Sequence, residues 1–125
     1  MKEPKMGFEG QAQQQAGLGE FLWEAHAAGT KALEFTAGRS FDDYSEHEVL
    51  RAAVESMLKI VAASLEDVRE YFPDEAAKMP RAGEAIALKP KLGPGGDAEV
   101  WRFVQATLPE LVAEVQVLLE DWHSA

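Results

Sequence analysis

Residues 46–72, EHEVLRAAVESMLKIVAASLEDVREYF, decide the fold. Leu50, Val54, Met57, Val61, Leu65 and Val68 recur at spacings of three and four for over five turns, which places them on one face of an α-helix. No glycine or proline interrupts the stretch before Pro73, where a helix must end or kink. Ser45-Glu46-His47-Glu48 reads as a capping box, with Ser45 accepting from the N3 amide while Glu48 reaches back. The helix is therefore expected to begin near Glu46 and, at about 1.5 Å per residue, to be about 38 Å long.

The same period appears on both sides. Phe21, Ala25, Ala28, Ala32 and Phe35 share one face of a helix predicted from Leu18 to near Gly38. The middle of that face, Ala25, Ala28 and Gly29, is small enough for another helix to approach closely. Towards the C-terminus Trp101, Val104, Leu108, Leu111, Val115, Leu118 and Trp122 form a third stripe, with Asp97 placed to cap it. Pro109 lies inside that stripe; it lacks an amide donor and crowds the preceding turn, which predicts a kink near Gln105–Leu108 or a break into two helices. No strand-like alternation occurs, so the expected fold is all-α, an up-and-down bundle of three long helices plus a short irregular one.

The irregular part is Met79 to Trp101. Pro80 suits a helix start, Ala85–Leu88 can make one or two turns, Pro90 ends them, and Gly93-Pro94-Gly95-Gly96 reads as a linker. That glycine run lacks the lysine and Ser/Thr of a phosphate loop. From Lys78 to Arg102, five basic residues (Lys78, Arg81, Lys89, Lys91, Arg102) face three acidic ones (Glu84, Asp97, Glu99), a local surplus of plus 2 that leaves minus 12 for the rest of a chain of net charge -10. Such a chain repels DNA and RNA backbones at long range, so RNA is a candidate partner only through this basic segment.

The 125 residues suit one domain over 18–125, preceded by a Gly- and Gln-rich segment over 1–17 that is expected to be mobile. With no cysteine, neither disulfides nor a thiolate zinc site is expected. No apolar run suits a secretory leader or a membrane span, so a cytoplasmic protein without membrane contact is expected. His26, His47 and His123 fall in separate elements and form no motif. One Glu120-x-x-His123 is too few for a carboxylate-bridged metal pair, and the acids Asp42, Asp43, Glu46 and Glu48 suit helix N-termini. No metal or cofactor is expected. Trp23, Trp101 and Trp122 are candidates for the core or for an interface.

Several phrases, in order, resemble the HepT-like branch of the HEPN superfamily: Leu33 to Tyr44 (LEFTAGRSFDDY), Ala53 to Val68, Tyr71-Phe72-Pro73, Val100 to Gln105 (VWRFVQ) and Leu108-Pro109-Glu110-Leu111. The resemblance covers Phe21 to Trp122. It implies a small all-α protein of the kind known as ribonuclease toxins paired with minimal nucleotidyltransferase antitoxins. The family's third helix carries an arginine, a polar residue and, further on, a histidine. At the matching place, Leu88 to Pro94, Lys89 or Lys91 stands for the arginine, nothing stands for the histidine, and the tyrosine that follows in the toxins is missing. Metal-independent RNA cleavage needs a group to handle the ribose hydroxyl proton, which suits histidine. The resemblance thus implies a bundle without ribonuclease activity and with no assigned catalytic residue, acting by protein binding as a homodimer and/or with a nucleotidyltransferase partner. Its alternatives are a divergent ribonuclease toxin using Lys89, Lys91 or Arg81, and an unrelated ligand-binding bundle. Arg81, Lys89, Lys91 and Arg102 are the candidates for RNA or anion binding.

Overall fold

Helix formation follows the apolar period. In the computed structural model the backbone is described for residues 3–124 and the side chains for residues 17–124. The mobile segment expected over 1–17 lies outside the described residues for Met1 and Lys2, and outside the described side chains through Ala16. Helix α1 spans Glu3–Thr36, so its backbone begins well before Leu18; α2 spans Phe41–Glu46, α3 Glu48–Tyr71, α4 Pro73–Ala76, α5 Ala82–Ala87, α6 Asp97–Arg102 and α7 Leu108–Ser124. A 3₁₀ turn occupies Lys89–Lys91, and a π-helical turn, Phe103–Thr107, joins α6 to α7. No strand occurs among the described residues, and the all-α bundle is as expected.

The chain direction follows from pairs across the core. Gly19 lies against Trp122 and Gly29 against Val112, while Glu24 accepts from Ser64 Oγ and Gly29 lies against Val61, so α7 and α3 both run antiparallel to α1. Segment 77–96 carries the chain back: Arg81 meets Glu114, Glu84 meets Thr107 and Lys91 meets Glu99. The bundle is therefore up-down-up-down, its third leg built of α5 and the 3₁₀ turn. Its core holds Leu22, Ala25, Ala28 and Ala32 of α1, Val54, Leu58, Val61, Leu65 and Val68 of α3, and Leu108, Leu111, Val115 and Leu118 of α7. Burying each Val or Leu of this set stabilises by about 1.5–3 kcal/mol.

Four local expectations are corrected. The capping box forms one turn earlier: Ser40 Oγ accepts from Asp43 N at 3.1 Å and Asp43 Oδ2 accepts from Ser40 N at 3.0 Å, starting α2. Ser45 is thereby held inside α2, and His47 caps α3, its Nδ1 accepting from Leu50 N at 3.1 Å. Asp97 is not a cap but the first residue of α6, behind Gly96; a Cβ at Gly96 would lie 1.8 Å from the Lys91 carbonyl oxygen, so only glycine fits there. Pro80 precedes the helix instead of starting it, because the Pro80–Arg81 turn delays α5 to Ala82. The kink at Pro109 takes the form of the π turn, with Leu108 N–H donating five residues back to Phe103 O. Widening the turn accommodates a proline that cannot donate and whose ring would meet the Gln105 carbonyl of a regular helix.

Val104 is buried as its spacing requires, and across the π turn the inward face moves by one place. Upstream of it Val100 and Phe103 face inward, and Trp101 is turned to the side of the core, half-buried.

Two measurements check this packing. A Cβ at Gly29 would meet Val112 Cγ2 at 2.8 Å, so Gly29→Ala is expected to destabilise by about 1–3 kcal/mol in urea unfolding. The Ser40 backbone and side-chain hydrogen bonds, with Arg39 nearby, hold Asp43 below its ordinary value of 3.8. Its contribution is complete above that value and is lost as the pH falls through the lower value in the fold. The stability gap between wild type and Asp43→Asn should be constant near neutrality and close only below the ordinary carboxylate range.

Candidate functional site

The basic segment does not make a basic surface. The guanidinium of Arg81, at the start of α5, sits between two glutamates of α7: Nη1 donates to Glu114 Oε2 at 2.7 Å, Nε pairs with Glu110, and the Arg81 backbone N–H donates to Glu114 Oε1 at 3.3 Å. The hydrogen bond that its side chain donates to Glu114, with Glu110 adding charge, holds Arg81 above its ordinary value. Lys89 Nζ reaches Glu66 Oε1 of α3 at 2.9 Å, and Lys91 Nζ reaches Glu99 Oε2 of α6 at 3.9 Å. Of the four candidates only Arg102 forms no ion pair among the described residues. The local surplus of positive charge read from 78–102 is answered by carboxylates from elsewhere in sequence, Glu66, Glu110 and Glu114, which segment bookkeeping could not see.

The fold also separates the four. Lys91 and Arg102 share a groove of about 330 Å³ with Glu84, Glu99 and Thr107, and there Thr107 Oγ1 donates to Glu84 Oε1 at 3.1 Å. Arg81 faces α7 and Lys89 faces α3, each outside that groove. No histidine lines it. Among the described residues no group of three or more acidic or histidine side chains converges to hold a metal ion, and no helix is long and apolar enough to cross a membrane.

The three tryptophans have three different settings. Trp101 packs its ring 5.4 Å from that of Tyr44 and 6.4 Å from that of Phe41, joining α6 to α2. Trp122, at the edge of the bundle, lies over Gly19. Trp23 is 62% exposed and borders a groove of about 390 Å³ between α1 and α3, lined also by Ala27, Ala28, Met57 and Ile60, with Glu24 and Lys31 at its edges. Ile60, itself 40% exposed, falls off the core stripe of α3. It was not singled out in the sequence, because a single exposed isoleucine carries no signal until its neighbour on another helix is known.

A second feature was also hidden in the sequence. Tyr44 is fully buried, and its Oη has no hydrogen-bond partner among the described residues; leaving a buried hydroxyl unmatched costs about 1–3 kcal/mol. Burial, then the charges of Glu55 and Asp97, push its phenol well above the ordinary range against the opposing Arg51. It stays neutral throughout the physiological range.

Compared with family models, with curated proteins and with solved structures, the chain matches none.

The pairs of Lys89 and Lys91 are exposed, and exposed pairs contribute at most about 1 kcal/mol. Lys89→Ala and Lys91→Ala are expected to leave the urea midpoint nearly unchanged, whereas Trp101→Ala, which removes the α2–α6 contact, should cost at least about 2 kcal/mol.

Proposed function

We propose that this chain is a HepT-like helical bundle that acts by binding protein, as a homodimer or with a nucleotidyltransferase partner, and that it does not cleave RNA. The observation that carries the reading is the pairing of Arg81, Lys89 and Lys91 with glutamates. A ribonuclease built on these residues would have to break four ion pairs before all three could hold a phosphate, and would still lack a group suited to the ribose hydroxyl proton. Each of the three cations already has a carboxylate partner.

The binding surface in this reading is the groove bordered by Trp23, Met57 and Ile60. An exposed aromatic beside mostly apolar neighbours, with one carboxylate and one ammonium in the lining, has the composition of an interface. Glu24 and Lys31 lie seven residues apart on the same exposed side of α1. A two-fold axis between them sets each glutamate against the other copy's lysine, the self-complementarity that an isologous dimer requires.

Two experiments test this. Purified protein should leave single-stranded RNA intact, and host RNA cleavage that disappears in Lys89→Ala or Lys91→Ala would contradict the reading in favour of a divergent ribonuclease centred on the Lys91–Arg102 groove. Light scattering should give a dimer mass for wild type and a monomer mass for Trp23→Asp, a change at an exposed position that leaves the circular dichroism spectrum unaltered. A monomeric wild type that also recovers no nucleotidyltransferase-sized partner from its host would refute the binding role.

A further inference from the structure

The joint between α2 and α3 turns on one residue. His47 ends α2, its backbone N–H donating to the Tyr44 carbonyl at 3.3 Å, and begins α3, its carbonyl accepting from Arg51 N–H at 2.9 Å. Its side chain supplies the cap, Nδ1 accepting from Leu50 N–H at 3.1 Å. Serine, threonine and asparagine, common at this position, hold such an amide at every pH, and Ser40 does that work for α2. Histidine adds a dependence on protonation. An imidazole accepts at Nδ1 only while that nitrogen is bare; in the imidazolium both ring nitrogens are donors. The imidazolium would also meet the positive end of a 24-residue helix.

The charged groups of the elements that meet here leave this dependence in place. Helix α2 brings Asp42, Asp43 and Glu46, α3 brings Glu48, Arg51 and Glu55, and α6 brings Asp97 and Glu99. Asp43 is engaged by Ser40, and Arg51 by the Ser45 carbonyl and by Asp97. None forms an ion pair with His47 among the described residues. Its chain neighbours Glu46 and Glu48 are exposed, and solvent screens their charge.

What this cap holds is weakly seated. Helix α2 is six residues long and meets α6 through Phe41 and Tyr44, whose rings lie 6.4 and 5.4 Å from that of Trp101. The Tyr44 hydroxyl is buried without a hydrogen-bond partner among the described residues, so opening returns it to water and recovers a lost hydrogen bond. We propose that His47 is a proton-operated latch: with the ring neutral it holds α2 closed on α6, and with the ring protonated the α2–α3 joint opens and uncovers Trp101. The opening is local, because Val54, Leu58, Val61 and Leu65 keep the rest of α3 in the core. The latch contribution is complete while the ring is neutral and is lost as the pH falls and the ring takes up its proton. The latch lies apart from the Trp23 groove and does not depend on the chain being a HepT-like protein.

NMR on the full chain tests it in two steps. At neutral pH the His47 ring nitrogen shifts should place the proton on Nε2 and leave Nδ1 bare; a proton on Nδ1 would overturn the proposal at once. On acidification the Leu50 amide shift should follow the His47 ring, and the hydrogen-exchange protection of residues 41–50 should fall about fivefold relative to the core of α7, the equilibrium worth of one helix cap. Contacts between the Trp101 and Tyr44 ring protons should weaken over the same range. His47→Asn keeps an oxygen acceptor that does not titrate, and should abolish the fall. A Leu50 amide that ignores the ring, or an equal loss of protection in His47→Asn, would overturn the latch. Should His47→Asn fail to fold, the wild-type tautomer and the Leu50 titration decide.

Discussion

Pro109 sets the geometry on which the packing of α6 and the groove beside it depend. A proline inside a helix cannot donate its amide and pushes against the carbonyl four residues back. The chain absorbs this with one π turn over Phe103–Thr107 instead of a break, so α6 and α7 remain one rod with a one-residue change of phase. The change turns Trp101 off the central stripe and onto Tyr44, which ties α2 to α6 and buries the phenol. It also brings Arg102 and Phe103 to the groove against α5, and α6 begins with Asp97 beside Arg51. A π turn is a local cost often found where a helix must serve a site.

The bundle itself was legible in the sequence, because a period of three to four over long stretches has one structural solution. Val54, Val61, Leu65 and Val68 are buried as their spacing requires, and the small face at Gly29 admits α7 and α3. What was not legible depended on competition or on tertiary partners. Two serines could start a helix; Ser40 prevailed because Asp43 answers it in the same turn, and the imidazole of His47 then capped α3. Pro109 announced a disturbance, but a kink, a break and a π turn share one sequence signal. The charge surplus over 78–102 looked like a basic patch only while Glu66, Glu110 and Glu114 were counted elsewhere.

The electrostatics bear directly on function. A chain of net charge -10 attracts a polyanion only through a local cluster of free cations, and here Arg81, Lys89 and Lys91 each neutralise a neighbouring helix. They pair the irregular third leg with α7, α3 and α6 in turn, while Met79, Ala82, Ala85 and Leu88 anchor that leg in the core. An exposed apolar surface lies around Trp23, Met57 and Ile60. Both features favour binding over phosphodiester chemistry.

Because the placement of Trp101, Tyr44 and Asp97 follows from the phase change at Pro109, the most direct test is the hydrogen bond that defines it. Scalar coupling across hydrogen bonds, measured by NMR on isotopically labelled protein, identifies the carbonyl that accepts from each helical amide. The Leu108 amide is expected to couple to the Phe103 carbonyl, and the Trp101 and Tyr44 ring protons to show mutual contacts. Coupling of Leu108 to the Val104 carbonyl, with Trp101 contacting the α3 core instead of Tyr44, would contradict it.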